Sequence, residues 1–351
     1  RPADLVEEIL RIYGYDNIAI PSKINASLNV NNKPDAEKLQ EQISIMLAAN
    51  GFNEIMNNSL TKSAYTRELE SFDEEKNVKI LNPLSSDLDV MRQSLMFGGL
   101  ESIARNQNFK RSDMKFFEFG NTYIFNKENP QTSERPLNPY SENFRLDMLL
   151  TGNDKEESWN EKPRNLTFYD LKRYVTGVIH KLGINTDELQ MREGDVKHYD
   201  YSIVYSVNGR DIATLGKLSQ KTLKLFDIKK EVFHATLDWE AMMAIIKELK
   251  TISFRALPKF PSVRRDLALV MDKGITFEQI KKVAFAAEKN ILKSVSLFDI
   301  YEGDKIPAGK KQYAISFTLQ DSQKTLTDKV IEKTMAKIQS SIEQQLNATL
   351  R

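Results

Sequence analysis

Asp4, Glu7 and Glu8 stand at i, i+3, i+4 spacing, which puts three carboxylates on one face of a helix. Hard oxygens grouped in this way suit Mg²⁺, which takes a few carboxylates plus water. The same Asp-x-x-Glu pattern also makes a capping box at a helix N-terminus, where acidic residues are favoured. On the residues alone the capping reading is the stronger. His180, His198 and His234 lack a His-x-x-x-His spacing and read as ordinary core or surface side chains. Gly303–Lys311 (GDKIPAGKK) is like a phosphate loop only on its surface. It has one residue too many, no Ser or Thr after the lysine, and a strand after it, so it reads as a hairpin turn.

The remaining chemistry lies towards the C-terminal end, in Lys259, Phe260, Arg264, Arg265, Tyr301, Lys310, Lys311 and Arg351. Cations that hold phosphates, mixed with rings that stack on splayed bases, are what a single-stranded RNA or an RNA loop needs. Arg264-Arg265, close to Pro261, is the leading pair, and Asp266 is placed to hold one of the two arginines. Taken singly, each residue has an alternative: the rings pack on a sheet and the lysines are solvated. Charge distribution favours the RNA reading. Arg255–Arg351 carries 17 Lys/Arg against 11 Asp/Glu, whereas the whole chain is only +1. A basic end on a near-neutral chain suggests an anionic partner, with nucleic acid the leading candidate.

A chain of 351 residues with 40% apolar and 28% charged residues has globular composition and length for two or three domains. No run approaches the roughly 18 apolar residues of a membrane span. The absence of cysteine excludes disulfides, thiolate zinc sites and a cysteine nucleophile, and fits a reducing, cytoplasmic setting. Arg1-Pro2, with no initiator Met, reads as a start cut from a longer chain.

The elements that must position these residues follow from periodicity and punctuation. A short amphipathic helix spans Asp4–Tyr13, and residues 22–35 are a polar, Asn-rich linker after a small remnant at 1–21. Residues 36–250 form a central α+β domain. It opens on a helix capped by Asp35, with Leu39, Ile43, Met46 and Leu47 on one face. Strands are expected near Glu54–Thr61, Val78–Leu81, Met114–Phe125 (kinked at Gly120), Arg145–Thr151 and Val232–Asp238, with helices at Leu95–Asn106, Phe168–Leu182, Lys221–Phe226 and Trp239–Leu249. Asn208-Gly209 between alternating runs predicts a two-residue hairpin within Ser202–Leu215. Residues 251–351 read strand, helix, strand, turn, strand, helix and short tail, the βαββαβ order of a ferredoxin-like domain.

Three stretches carry a resemblance to one family, the β chain of bacterial phenylalanyl-tRNA synthetase. Asp4–Ile18 resembles the end of a small domain in it. Glu37–Asp238 resembles its class II synthetase-like core, notably at Ile80–Leu95 (ILNPLSSDLDVMRQSL) and Lys115–Tyr123 (KFFEFGNTY). Phe260–Arg351 is similar to its ferredoxin-fold anticodon-binding domain, down to the terminal Leu350-Arg351. The resemblance implies an (αβ)₂ assembly that joins phenylalanine to its tRNA with ATP and Mg²⁺, the working site and the ATP lying in the α chain. It implies Asp4, Glu7 and Glu8 as magnesium ligands, short of one upstream aspartate, so that this chain alone holds the metal weakly or not at all. It also makes the helix after Asp35 an interface element, with Leu39, Ile43 and Met46 as the subunit-interface candidates, Leu39 and Ile43 turned inward and the other side towards the α chain.

A class II site needs an arginine two residues before a glutamate to grip the α-phosphate, because its planar fork binds two oxygens at once. Phe116 stands there before Glu118, and no Gly-x-Gly occurs for the third class II motif. The central domain therefore reads as catalytically degenerate, with Glu118 structural and no catalytic residue of its own. Two alternatives stay open. One is a self-sufficient amino-acid-activating enzyme; the other is a stand-alone RNA-binding regulatory relative of a synthetase.

Overall fold

A computed structural model describes residues 1–23, 35–83, 85–155, 157–249, 256–303 and 306–351. Most of the expected linker, the approach at 251–255 and part of the Gly303–Lys311 turn lie outside the described residues. The chain divides into two compact units, Arg1–Lys250 and Thr251–Arg351.

In the first unit the elements run α1 (Pro2–Tyr13), α2 (Ala36–Ala49), β1 (Asn53–Glu54), β2 (Leu60–Thr61), α3 (Ser63–Glu68), β3 (Val78–Lys79), β4 (Val90–Met91), α4 (Met96–Asn108), β5 (Met114–Phe125) and β6 (Tyr140–Thr151). They continue through α5 (Phe168–Lys181), β7 (Gln190–Glu193), β8 (Tyr199–Val207), β9 (Arg210–Leu218), α6 (Gln220–Leu225), β10 (Val232–Asp238) and α7 (Trp239–Glu248). The main sheet has the order β1-β5-β6-β10-β9-β8-β7. It is antiparallel except where β1 pairs with β5. Asn208 and Gly209 both take positive φ between β8 and β9, as a twist-matched two-residue hairpin requires. The strand expected near Glu54–Thr61 is two short ones: β1, in the main sheet, and β2, which joins β4 and β3 in a small sheet of order β2-β4-β3. Helix α3 and strand β7 are too short to carry a periodic signal.

Alternation along the strands gives the main sheet two unlike faces. One is apolar: Phe117, Leu146, Met148, Leu215, Ala235 and Leu237 pack against α2, α5 and α7. The other splits in two. Phe116, Leu149, Val232 and Leu218 lie in a second core with α3, α4 and α6, while Thr122, Asn143, Arg145, Thr214 and Thr236 line an open pocket. Ile43 and Leu47 of α2 are fully buried in the first core, and Leu39 and Met46 pack against it. Leu39 and Ile43 are thus turned inward as expected, and the Ile43 side chain, one of the interface candidates, has no surface left to offer a subunit. The exposed apolar residue of α2 is Ile45.

Gly120 does not kink β5. The β5–β6 register runs unbroken from Met114 to Phe125. A Cβ at Gly120 would press on the Arg92 guanidinium, so the missing side chain makes room for that arginine. Arg92 Nη1 donates to Glu118 Oε1 at 2.7 Å, and Arg92 Nε donates to the Asn121 carbonyl at 3.0 Å. Asn57 donates through its backbone N–H and its side-chain amide to the two Glu118 oxygens, at 3.1 and 2.7 Å. Both charged side chains are buried.

The second unit runs β11 (Val263–Asp272), α8 (Phe277–Ala287), β12 (Leu292–Tyr301), β13 (Lys310–Leu319), α9 (Asp328–Leu346) and β14 (Thr349–Leu350). Its antiparallel sheet has the order β12-β13-β11-β14. The expected tail is thus a short fourth strand, which completes the split-βαβ arrangement. Leu269, Met271, Ile315 and Phe317 share a core with Ile280 of α8 and with Ile331, Ile338 and Ile342 of α9. Both helices cover one face, and no helix among the described residues covers the other.

Removing one partner of a buried ion pair leaves an uncompensated charge, so Arg92→Ala should cost about 3–5 kcal/mol in chemical denaturation. Gly120→Ala should destabilise in the same direction by displacing the guanidinium, and wild-type stability in both variants would refute the role given to the pair. At the start of α5, Arg164 grips Asp170 with two bonds of 2.8 and 2.9 Å, and Thr167 donates to it as well. These bonds, the arginine's first, hold the Asp170 carboxyl well below its usual range. Its stabilisation is therefore present above the unfolded value near 3.8 and is lost as pH falls below it. Asp170→Asn should lose about 1–3 kcal/mol at pH 7, and the gap from wild type should narrow on acidification.

Candidate nucleic-acid interface

On β11, Leu269 and Met271 face the helices, so by alternation Arg264, Asp266, Ala268 and Val270 belong to the open face of the second unit. Arg264 and Arg265 therefore point to opposite sides. Arg264 is exposed and its guanidinium lies 5.4 Å from the centre of the Phe298 ring. Its Nε donates to Asp266 Oδ1 at 3.0 Å, and this contact holds the Asp266 carboxyl below the ordinary range. Arg265 turns to the helix side, where its guanidinium comes within 3.9 Å of Asp328 in the first turn of α9. The expected arginine pair is thus one open-face arginine and one helix-side arginine.

A β-bulge lies between Leu297 and Asp299. Beyond it Asp299 pairs with Ala314 and Tyr301 with Gln312, which places Tyr301 on the open face. Gln312 also accepts a hydrogen bond from Arg351, whose backbone N–H donates to the Ala268 carbonyl at 3.0 Å. Tyr301, Gln312 and Arg351 form a second group on the same face as Arg264 and Phe298. Lys310, opposite Asp272, is on that face by register, whereas Lys311 lies opposite Met271, with its ammonium 4.8 Å from the centre of the buried Tyr313 ring. Lys259 is exposed, and Phe260 is half-buried, its carbonyl accepting from Gln320 at 2.8 Å.

The arrangement sets two cations, each near a ring or an amide, on an exposed sheet. It can stack unpaired bases on Phe298 and Tyr301 and hold phosphates with Arg264 and Arg351. Phe298 escaped the sequence reading because the bulge disrupts the period-two signal at that position. The interleaving of rings and charges in LFDIY was the only cue.

The carboxylates of α1 do not converge. Asp4 bonds the terminal ammonium at 2.7 Å, and Glu8 pairs with Arg11 at 2.8 Å. No group of three His, Cys, Asp or Glu side chains able to hold a metal occurs among the described residues. By itself this donor set does not fit Mg²⁺. Glu118 is saturated by Arg92 and Asn57, and Phe116 is buried in the second core. No helix among the described residues is long and apolar enough to cross a membrane.

Comparison with known proteins defines the class first. Residues 20–239 match the model of the phenylalanyl tRNA synthetase beta chain CLM domain, and residues 258–351 match that of the ferredoxin-fold anticodon binding domain. Phenylalanine–tRNA ligase beta subunits of Bacteroides fragilis and Porphyromonas gingivalis are 46% and 40% identical to the chain, each across all of it. The chain belongs to the phenylalanyl-tRNA synthetase β chain family. It spans 43% of the length of each of these two relatives. A pyrrolysyl-tRNA synthetase from Desulfitobacterium hafniense aligns in structure over 62% of this chain and 71% of its own, with a TM-score of 0.46 and 14% identity.

With Glu8 paired to Arg11 and no group of three ligands converging among the described residues, the chain should show little thermal shift on adding Mg²⁺. A large rise in melting temperature at micromolar metal would mean that the α1 face is a self-sufficient site.

Proposed function

We propose that the chain works as a portion of a phenylalanine–tRNA ligase β subunit, supporting a catalytic α chain and holding tRNA through its ferredoxin-fold domain. Aminoacylation then belongs to the assembly, an (αβ)₂ heterotetramer in the cytoplasm. ATP is bound by the α chain, and Mg²⁺ is held with help from outside this sequence. The first unit is a class II synthetase-like core that has lost its chemistry. In support, a phenylalanine stands where a phosphate-gripping arginine is needed, and the nearby glutamate is already neutralised by Arg92. These features weigh against a self-sufficient amino-acid-activating enzyme. An ATP–pyrophosphate exchange signal from the purified chain would reverse that judgement.

The observation that carries the RNA reading is the pairing of Arg264 with the exposed Phe298 ring on the uncovered sheet face. Rings present a surface that any base can stack on, and a cation beside one meets the phosphate backbone. The docking partner is a folded RNA whose loop bases are splayed, as an anticodon loop offers. The α chain engages the other unit by a surface for which Ile45 is a better candidate than Ile43.

In salt titrations of tRNA binding, Arg264→Ala should weaken affinity and reduce the log–log slope by about 0.7 for each single-strand phosphate that the arginine neutralises. Arg265→Ala should leave the slope unchanged. Phe298→Ala should cost about 1–3 kcal/mol with little change in slope. Equal effects from Arg264→Ala and Arg265→Ala would refute the assignment of the open face.

A further inference from the structure

The RNA reading does not use the pocket on the polar half of the first unit's sheet. Its volume is about 400 Å³, within the usual range for small-molecule sites. One wall is a ladder of four rings. Phe72, His198, Tyr199 and His234 follow one another with centroid spacings of 5.5, 4.2 and 6.0 Å and interplanar angles of 32°, 39° and 15°. The inner end of the ladder is locked in place. The Tyr199 hydroxyl meets His234 Nδ1 at 2.7 Å, and His234 Nε2 meets Asp147 Oδ2 at 2.8 Å, all three side chains being buried. Such a chain fixes the ring planes of Tyr199 and His234.

Two buried polar atoms at the ladder are left over. His198 Nδ1 and Asp147 Oδ1 have no hydrogen-bond partner among the described residues. Buried polar groups left in this state are rare and call for an explanation. Burial, with His234 close by, pushes His198 down to about 4, so its ring is neutral at physiological pH. The adjoining floor carries the amide of Asn143 and the hydroxyls of Thr214 and Thr236, groups that both donate and accept. The rim charges are balanced: Arg145 pairs with Asp238 and Arg192 with Asp211. Asp195 lies on the rim as well. A phosphate entering here would meet carboxylates and two arginines already engaged. A flat, uncharged molecule with edge donors and acceptors meets none of these obstacles.

We propose that this pocket binds an uncharged planar heterocycle of the nucleobase or nucleoside kind. The ring packs against the half-buried Phe72 and His198 at the outer end of the ladder, and its polar edge reaches Asn143, Thr214 and Thr236. The ligand has two sources of the same chemistry, a free nucleoside or a base splayed from RNA.

The test is calorimetric and saturation-transfer NMR titration of the 351-residue chain with adenosine, guanosine, cytidine and uridine, with ATP and phenylalanine as charged comparators. Saturable binding of at least one nucleoside is expected, with ATP no tighter than adenosine. Filling the pocket by Thr236→Met should abolish it while the melting temperature holds. Thr214→Leu serves if the first variant fails to fold. Arg264→Ala should leave nucleoside binding intact, which separates this site from the RNA-binding face. If Thr236→Met also weakens binding of a short single-stranded oligonucleotide, the base comes from RNA; if it does not, the ligand is the free nucleoside. No nucleoside binding at millimolar concentration overturns the proposal. So does binding that survives both filled variants, or tighter binding of ATP or phenylalanine.

Discussion

The buried Arg92–Glu118 pair is the constraint from which the rest of the first unit follows. Two charges taken out of water are tolerated only when geometry and further hydrogen bonds satisfy them together. Here the guanidinium enters from the segment after β4, the carboxylate from the middle of β5, and Asn57 from the segment after β1. Three stretches distant in sequence are thereby fixed at one point of the sheet. Gly120 is part of the same device, since a Cβ there would press on the guanidinium and force it to shift.

Each unit uses an antiparallel sheet with one face committed to helices. What differs is the treatment of the opposite face. In the ferredoxin-fold unit it stays flat and carries exposed rings beside cations, which suits an extended polyanion. In the first unit helices α3, α4 and α6 cover half of it, and the remainder lines an open pocket whose two arginines are each paired with a carboxylate. The same alternation of residues yields an exposed sheet face in one case and a pocket in the other. What decides is where the covering helices stop.

Much of this could be read from the residues, and the failures have physical causes. The βαββαβ order, the Asn208-Gly209 hairpin and the helices around Leu171 and Ile103 follow from periodicity and turn chemistry, which act locally. Of the RNA-binding candidates, Arg264, Tyr301, Lys310 and Arg351 share one face. Arg265 on β11 and Lys311 on β13 do not, because neighbours in a strand point opposite ways and a run of like residues hides this. Phe298 was missed since a bulge breaks the two-residue period. The kink expected at Gly120 was wrong for a different reason: the glycine answers to Arg92, a partner 28 positions earlier in the chain. His234 looked ordinary alone and gains meaning only beside Tyr199 and Asp147, which three separate strands supply.

The irregularity in β12 has a consequence for how this surface tolerates change. If every residue after Leu297 took its own partner, Ile300 would stand across from Gln312 and Tyr301 across from Lys311. The phenol would then turn under the helices, and an aliphatic side chain would take its place outside. Deleting the codon for Phe298 does not have that effect, because Asp299, Ile300 and Tyr301 keep the partners they already have; only one ring disappears. Ironing the strand flat at full length is the more damaging change, since it inverts the polarity of the strand's end with no change in composition. Shortening is therefore gentler here than straightening, and the spare residue works as a spacer that sets which way everything downstream of it looks.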